Sequence, residues 1–169
     1  GGAALKTWTG RTISNLGTIV FGGTVSVSGA STTTTLNNQA TGVVDFQADN
    51  IGFFGAYAVT NAGTLKKSAG TSGGSGFGSS PGSSVTSSGT VQALNGNLSL
   101  GAVYTQTGGT LTVAANSSAG GFGGSMLING GTVSGDGTLE GNVTNSATIN
   151  PGSSQGMLSV DGNYTQTSS

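Results

Sequence analysis

The side chains able to move protons or hold ions are few in this chain. There are five carboxylates (Asp45, Asp49, Asp136, Glu140 and Asp161), four cations, no histidine and no cysteine. A step of four is even, so Asp45 with Asp49, or Asp136 with Glu140, would share one face of a strand. Paired carboxylates are the machinery of glycoside hydrolysis, and acidic calcium ligands with an Arg or Lys base serve polysaccharide lyases. The one arginine, Arg11, lies far from all five in sequence, and the carboxylates sit among turn residues. They read as solvated turn side chains. The expectation is no enzyme, with no catalytic, cofactor-binding or metal-binding residue assigned and no cofactor required.

Three near-motifs point the same way. Gly120-Gly121-Phe122-Gly123-Gly124-Ser125-Met126-Leu127 approaches the calcium nonapeptide GGxGxDxLx, but Ser125 stands where the anionic oxygen belongs and the motif is not tandem. Gly135-Asp136-Gly137 opens like a dinucleotide fingerprint, yet no helix can follow at Thr138-Leu139. Ser31–Thr35 and the Thr-x-Thr pairs at 7, 105, 110 and 165 invite comparison with ice-binding ladders, but their spacing is irregular. Threonine simply favours strands. The four N-x-[ST] tripeptides, from Asn97, Asn116, Asn142 and Asn163, carry little weight in so Ser/Thr-rich a chain.

Composition narrows the class. Of 169 residues 34 are Gly and 5% are charged, against roughly 25% charged in an ordinary globular domain. The net charge of −1 and pI near 4.8 offer no basic stripe for nucleic acid. No run approaches the roughly 18 apolar residues that cross a bilayer, and the stretch beginning Gly1-Gly2-Ala3-Ala4 does not itself read as the charged and apolar leader of a signal peptide.

What positions the remaining residues is a series of very short strands. Gly131-Thr132-Val133, Gly137-Thr138-Leu139, Ala147-Thr148-Ile149 and Met157-Leu158-Ser159-Val160 are β-branched or aliphatic pieces divided by Gly, Asn, Asp and Pro. None can bury a face alone, and no helical period intervenes, so they read as rungs of a β-solenoid. The repeated phase of Val, Ile and Leu after Gly-Thr argues against disorder. Val133, Leu139, Val143, Ile149, Leu158 and Val160 are the expected inward ladder. Asn142 and Asn163 are 21 apart (163 − 142) and mark one rung, while Phe77 with Phe122, and Asn97 with Asn142, are 45 apart and suggest two. Gly96-Asn97, Gly141-Asn142 and Gly162-Asn163 are then expected in equivalent turns with stacked amides. In the same register Glu140 and Asp161 stand about one strand spacing, ~4.8 Å, apart.

Leu5–Phe21 alternates as rung sequence, with Gly10 breaking the strand. Trp8 is expected to pack over a core edge, and the aromatic run Asn50–Val59 to cap or widen the core. Lys66-Lys67 read as solvated edge lysines. Ser68–Ser84 is low in complexity, and a Gly/Ser-rich loop at about 68–84 is expected, outside the solenoid register. Deleting Thr71–Ser80 should then change little. The whole is one domain, 1–169.

The stretch Gly135–Ser146 (GDGTLEGNVTNS) followed by Ile149–Tyr164 (INPGSSQGMLSVDGNY) resembles a repeat of very large secreted bacterial proteins. These include autotransporter passengers and adhesin-like surface proteins. The pattern G-x-G-T-[ILV]-x-G-x-V-x-N closes with P-G-x-S-x-G-x-L-x-[ILV]-x-G-[ND]-Y. Ala147 replaces the usual Gly and Met157 the usual Thr, leaving turn and strand logic intact. The resemblance is looser over Leu5–Phe21 and Asn61–Thr107 and weakest over Asn37–Tyr57. It implies an all-β, right-handed single-stranded parallel β-helix, extracellular or on the cell surface, and 169 residues at about 21 each make about eight rungs. The implied duty is structural or adhesive: a stalk, filament or adhesin passenger segment. The alternatives are a polysaccharide-binding or polysaccharide-degrading β-helix, or an ice-binding solenoid. Expected partners are the same chain end-to-end or further repeats, because Tyr164-Thr165-Gln166-Thr167 copies Tyr104-Thr105-Gln106-Thr107 without its following strand. A surface polysaccharide is the further partner, with neither nucleic acid nor membrane insertion.

Overall fold

A computed structural model of the chain describes residues 4–23, 25–28, 33–152 and 156–167. Among them every regular element is a strand, nineteen in all, and every pairing is parallel. The strands stack in three columns. The first holds β1 (Ala4–Thr7), β4 (Val25–Ser28), β7 (Gly52–Phe54), β10 (Gly74–Phe77) and β13 (Asn97–Leu100), then the starts of β15 (Ser118–Gly135) and β16 (Thr138–Asn145), and β18 (Ser159–Asp161). The second holds β2 (Thr12–Asn15), β5 (Thr34–Asn38), β8 (Tyr57–Asn61), β11 (Ser84–Ser87), the start of β14 (Val103–Val113), the middle of β15, the end of β16 and β19 (Tyr164–Gln166). The third holds β3 (Thr18–Phe21), β6 (Val43–Phe46), β9 (Thr64–Lys67), β12 (Thr90–Ala93), the ends of β14 and β15, and β17 (Thr148–Pro151). The chain is a parallel β-solenoid, with eight strands in each of two columns and seven in the third among the described residues.

The Gly-Thr phase of the sequence has a direct cause at the corner between the second and third columns. The Gly42, Gly63 and Gly89 carbonyls accept the amide protons of Thr64, Thr90 and Thr110 one turn on, at 2.9, 2.8 and 3.1 Å. A Cβ on Gly63 would lie 2.2 Å from the Gly42 oxygen, one on Gly89 2.3 Å from that of Gly63, and one on Gly109 2.0 Å from that of Gly89. Only residues without a side chain can stack so closely. The following Thr faces out and the aliphatic residue after it faces in.

The inward rows fill the interior. Leu65, Val91, Leu111 and Val133 stack in the third column, and Leu98, Ala119 and Leu139 in the first; all are fully buried. Of the expected ladder, Val133, Leu139 and Val143 are buried, while Ile149, Leu158 and Val160 face the core but are only partly covered. The strands β17, holding Ile149, and β18, holding Val160 and directly preceded by Leu158, pair on one side alone among the described residues. Turn length varies from 26 residues (Val27 to Phe53) to 16 (Val133 to Ile149). The longer early turns enclose aromatic rings. Phe21 stacks on Phe46 at 5.1 Å, and Phe53 meets Phe77 at 4.7 Å and Tyr57 at 6.3 Å. Trp8 packs on Phe21 and Phe53 at 6.2 and 5.7 Å, so it lies over the core as expected.

Three expectations about the stacking need correction. The stretch 68–84 is not an excursion: its centre, Gly74–Phe77, is the strand β10, in register between β7 and β13. Phe77 is wholly buried, and Ser75 faces inward, donating to Ala48 O at 2.7 Å and accepting the Ile51 amide at 3.0 Å. Parallel pairing supplies the backbone bonds that composition cannot reveal. Gly96-Asn97 is not equivalent to Gly141-Asn142, because Asn97 pairs with Ser118 in the first column and Asn142 with Ser125 in the second. Asn142 and Asn163 do match, the Asn163 amide donating to Asn142 Oδ1 at 3.0 Å. The Phe122 side chain and residues Ser31 and Thr32 lie outside the described set.

The third correction concerns Lys67. It is 0% exposed, at an inward place between Phe46 below and Ala93 above. The alanine leaves room for its stem, which carries the ammonium toward the corner. Lys66 is the outward neighbour, 3.6 Å from Asp45.

Candidate functional site

Two constellations gather the polar chemistry. One is interior. Asn15 Nδ2 donates to Asn38 Oδ1 at 2.7 Å, and Asn38 Nδ2 to Asn61 Oδ1 at 2.7 Å. Asn61 continues to Ser87 Oγ at 3.0 Å, and the same place is filled by Gln106 and, two turns further, Asn145. Each amide also ties the corner backbone, as Asn61 does to Gly63 O at 3.3 Å and Thr90 O at 3.2 Å. The ladder is buried, and no buried side-chain polar atom among the described residues lacks a partner. A satisfied polar file fixes register, since a slip of one residue would orphan every amide. The signal was present in the sequence as Asn15-Leu16-Gly17-Thr18 and Asn61-Ala62-Gly63-Thr64, at a different place in the turn from the Gly-Asn pairs expected to stack: Asn145 of the file lies three residues (145 − 142) after Asn142.

The other is the corner after β6 and β9. Lys67 Nζ donates to Asp49 Oδ1 at 2.8 Å and to Ala69 O at 2.9 Å. Asp49 Oδ2 accepts the Thr71 amide at 2.7 Å and hydroxyl at 2.6 Å. The bond from Lys67, then those from Thr71, hold the Asp49 carboxyl far below the usual carboxylate range. A carboxylate so fixed accepts hydrogen bonds and is a poor proton carrier. Asp45, 4% exposed, accepts from Ser68 Oγ at 2.7 Å and Gln47 Nε2 at 2.9 Å. So Asp45 and Asp49 are bound into the scaffold rather than solvated, and they occupy a strand and the turn after it, not one strand face.

The structure does bring Glu140 and Asp161 together as register partners on the outer face of the first column. They line a shallow groove with Gly141 and Asn142; Asp136 and Glu140 line a second with Thr138 and Ser159. Arg11 lies near the opposite end of the stack, at the start of β2. The nonapeptide-like run Gly120–Leu127 is part of β15, paired to the turns on both sides. Among the described residues no three His, Cys, Asp or Glu side chains gather at a point, and no helix is long and apolar enough to cross a membrane. Burial pushes the Tyr57 and Tyr104 phenols above their ordinary value, leaving them neutral donors to Gly78 O and Gln106 Oε1.

The class that fold and surface define is a parallel β-solenoid with a filled interior and shallow outer grooves. No family model, curated protein or solved structure matches this chain.

Proposed function

We propose that this chain is a structural or adhesive segment of an extracellular or cell-surface bacterial protein, a scaffold that presents its outer faces to partners and turns over no substrate. The interior carries this reading. From Phe21 to Val143 the inward rows pack turn on turn, and the Asn15–Asn38–Asn61 file locks the register. Such a stack resists bending and holds a surface in fixed shape, which is what a stalk or adhesin segment requires. The absence of cysteine suits it, because register rests on hydrogen bonds that need no oxidant. The likeness of Gly135–Tyr164 to the repeats of secreted bacterial surface proteins supports the same reading.

The experiment is incubation of the purified chain with neutral and acidic polysaccharides over a wide pH range. No new reducing ends and no unsaturated products are expected. Cleavage of any of them, abolished by Glu140→Gln or Asp161→Asn, would overturn the reading in favour of an enzyme.

A further inference from the structure

The outward places of the first column are not uniform. From β13 to the start of β16 they carry Asn97, Ser99, Ser118, Thr138 and Glu140, with a single glycine at Gly120, but across β7 and β10 three of them are Gly52, Gly74 and Gly76. The missing side chains cut a trough of about 290 Å³ along the solenoid axis, at the lower edge of ligand-pocket sizes and enough for a sugar ring and part of its neighbour. Its floor is bare backbone. One wall is the Phe54 ring, 56% exposed, whose far edge lies over Gly52, 2.7 Å from where a Cβ would stand. A side chain at Gly52 would therefore displace the ring. The facing wall is Asn97, whose Nδ2 is held by Ser118 Oγ at 3.0 Å, with its Oδ1 toward Gly74. Ser99 beside it donates to Phe77 O at 2.6 Å, which orients the hydroxyl oxygen as an acceptor. Asn50, in left-handed backbone at φ 60°, completes the rim.

No residue lining the trough is charged. An exposed aromatic face beside fixed amide and hydroxyl acceptors suits one ligand chemistry: a ring with an apolar C–H face and hydroxyl groups around its edge. An acidic polymer would find no cation there. We propose that this trough is a binding site for a neutral saccharide chain lying along the solenoid axis, with one pyranose ring stacked on Phe54 and its hydroxyls donating to Asn97 and Ser99. The inference rests on the adhesive reading and deepens it by naming what is held and where.

The test is affinity electrophoresis of the whole chain in gels containing soluble β-glucan, mannan or polygalacturonate. Retardation by at least one neutral polymer is expected, with Phe54→Ala weakening association about tenfold or more and Phe54→Trp retaining it. The melting temperature of Phe54→Ala should stay near the parent's, because the ring lies outside the core. As an independent readout, the Phe54→Trp emission should shift when the retarding neutral polymer is added. No retardation by any neutral polymer, stronger retardation by polygalacturonate, or equal retardation of Phe54→Ala would each overturn the proposal. Those outcomes leave the scaffold reading standing, since only cleavage of a polymer sinks that.

Discussion

Leu139→Asp is expected to destabilise the chain by about 5 kcal/mol or more. Leu139 is wholly buried in the first column, directly between Ala119 and Val160. Its loss alone removes a packed aliphatic side chain, worth roughly 2–5 kcal/mol for truncation to alanine. The introduced carboxylate then stands buried between Ala119 and Val160, whose side chains offer neither charge nor hydrogen bond, and it escapes ionisation by taking up a proton. In a chain of this size the melting midpoint should fall by about 10 °C or more. Because each turn leans only on its neighbours, the damage should begin locally. Hydrogen exchange should show amides of β16 to β19 losing protection before those of β5 to β12. Melting within error of the parent would place Leu139 outside the core.

Deleting Thr71–Ser80 should prevent native folding. The segment contains β10, which hydrogen-bonds to β7 on one side and β13 on the other. Without it, both strands lose their ladder at that level. The interior also loses Phe77, whose ring sits 4.7 Å from Phe53, 5.5 Å from Tyr57 and 5.7 Å from Phe46. The Lys67 ammonium loses as well the Thr71 contacts that fix its partner Asp49. Phe77→Ala is the graded version, expected to cost about 3–5 kcal/mol. Circular dichroism and exclusion chromatography of the deletion check it: a soluble monomer with the parent's sheet signal would show that the turns close without β10.

These two sites mark what the sequence discloses and what it hides. Leu139 was legible because Gly-Thr-Leu is a local signature with a local cause: the glycine must lie under the carbonyl of the previous turn, and the aliphatic residue then falls inward. Phe77 was hidden because Gly-Ser-Gly-Phe has the composition of a flexible loop. Its order comes from strands 23 residues away in sequence, Phe77 pairing with Leu100. Gly76 illustrates the point, since its backbone, at φ 134°, lies where a Cβ would be 2.3 Å from Ser99 O. What reads as freedom in the sequence is a close approach in the fold. Lys67 was hidden by its charge, because nothing local announces that Asp49 stands in position to pair with it. Phe54 and Phe53 are adjacent and chemically identical, yet one builds the core and the other the trough wall. Only the register of β7 against β4 and β10 decides which faces out.

The central claim is a continuous parallel stack running through the Gly/Ser-rich stretch, with the trough floor as its outer surface. Because the chain has no cysteine, an introduced pair tests it directly. A Cβ placed on Gly74 would lie 3.6 Å from the Asn97 Cβ, inside the range of about 3.5–4.5 Å that a disulfide spans. Gly74→Cys with Asn97→Cys should therefore close in air to an intramolecular disulfide, seen by mass spectrometry. Gly74→Cys with Ser99→Cys, shifted two residues along β13, should stay reduced under the same conditions. Failure of the first pair to close, or equal closure of the second, would contradict the register on which the fold, the core and the trough all depend.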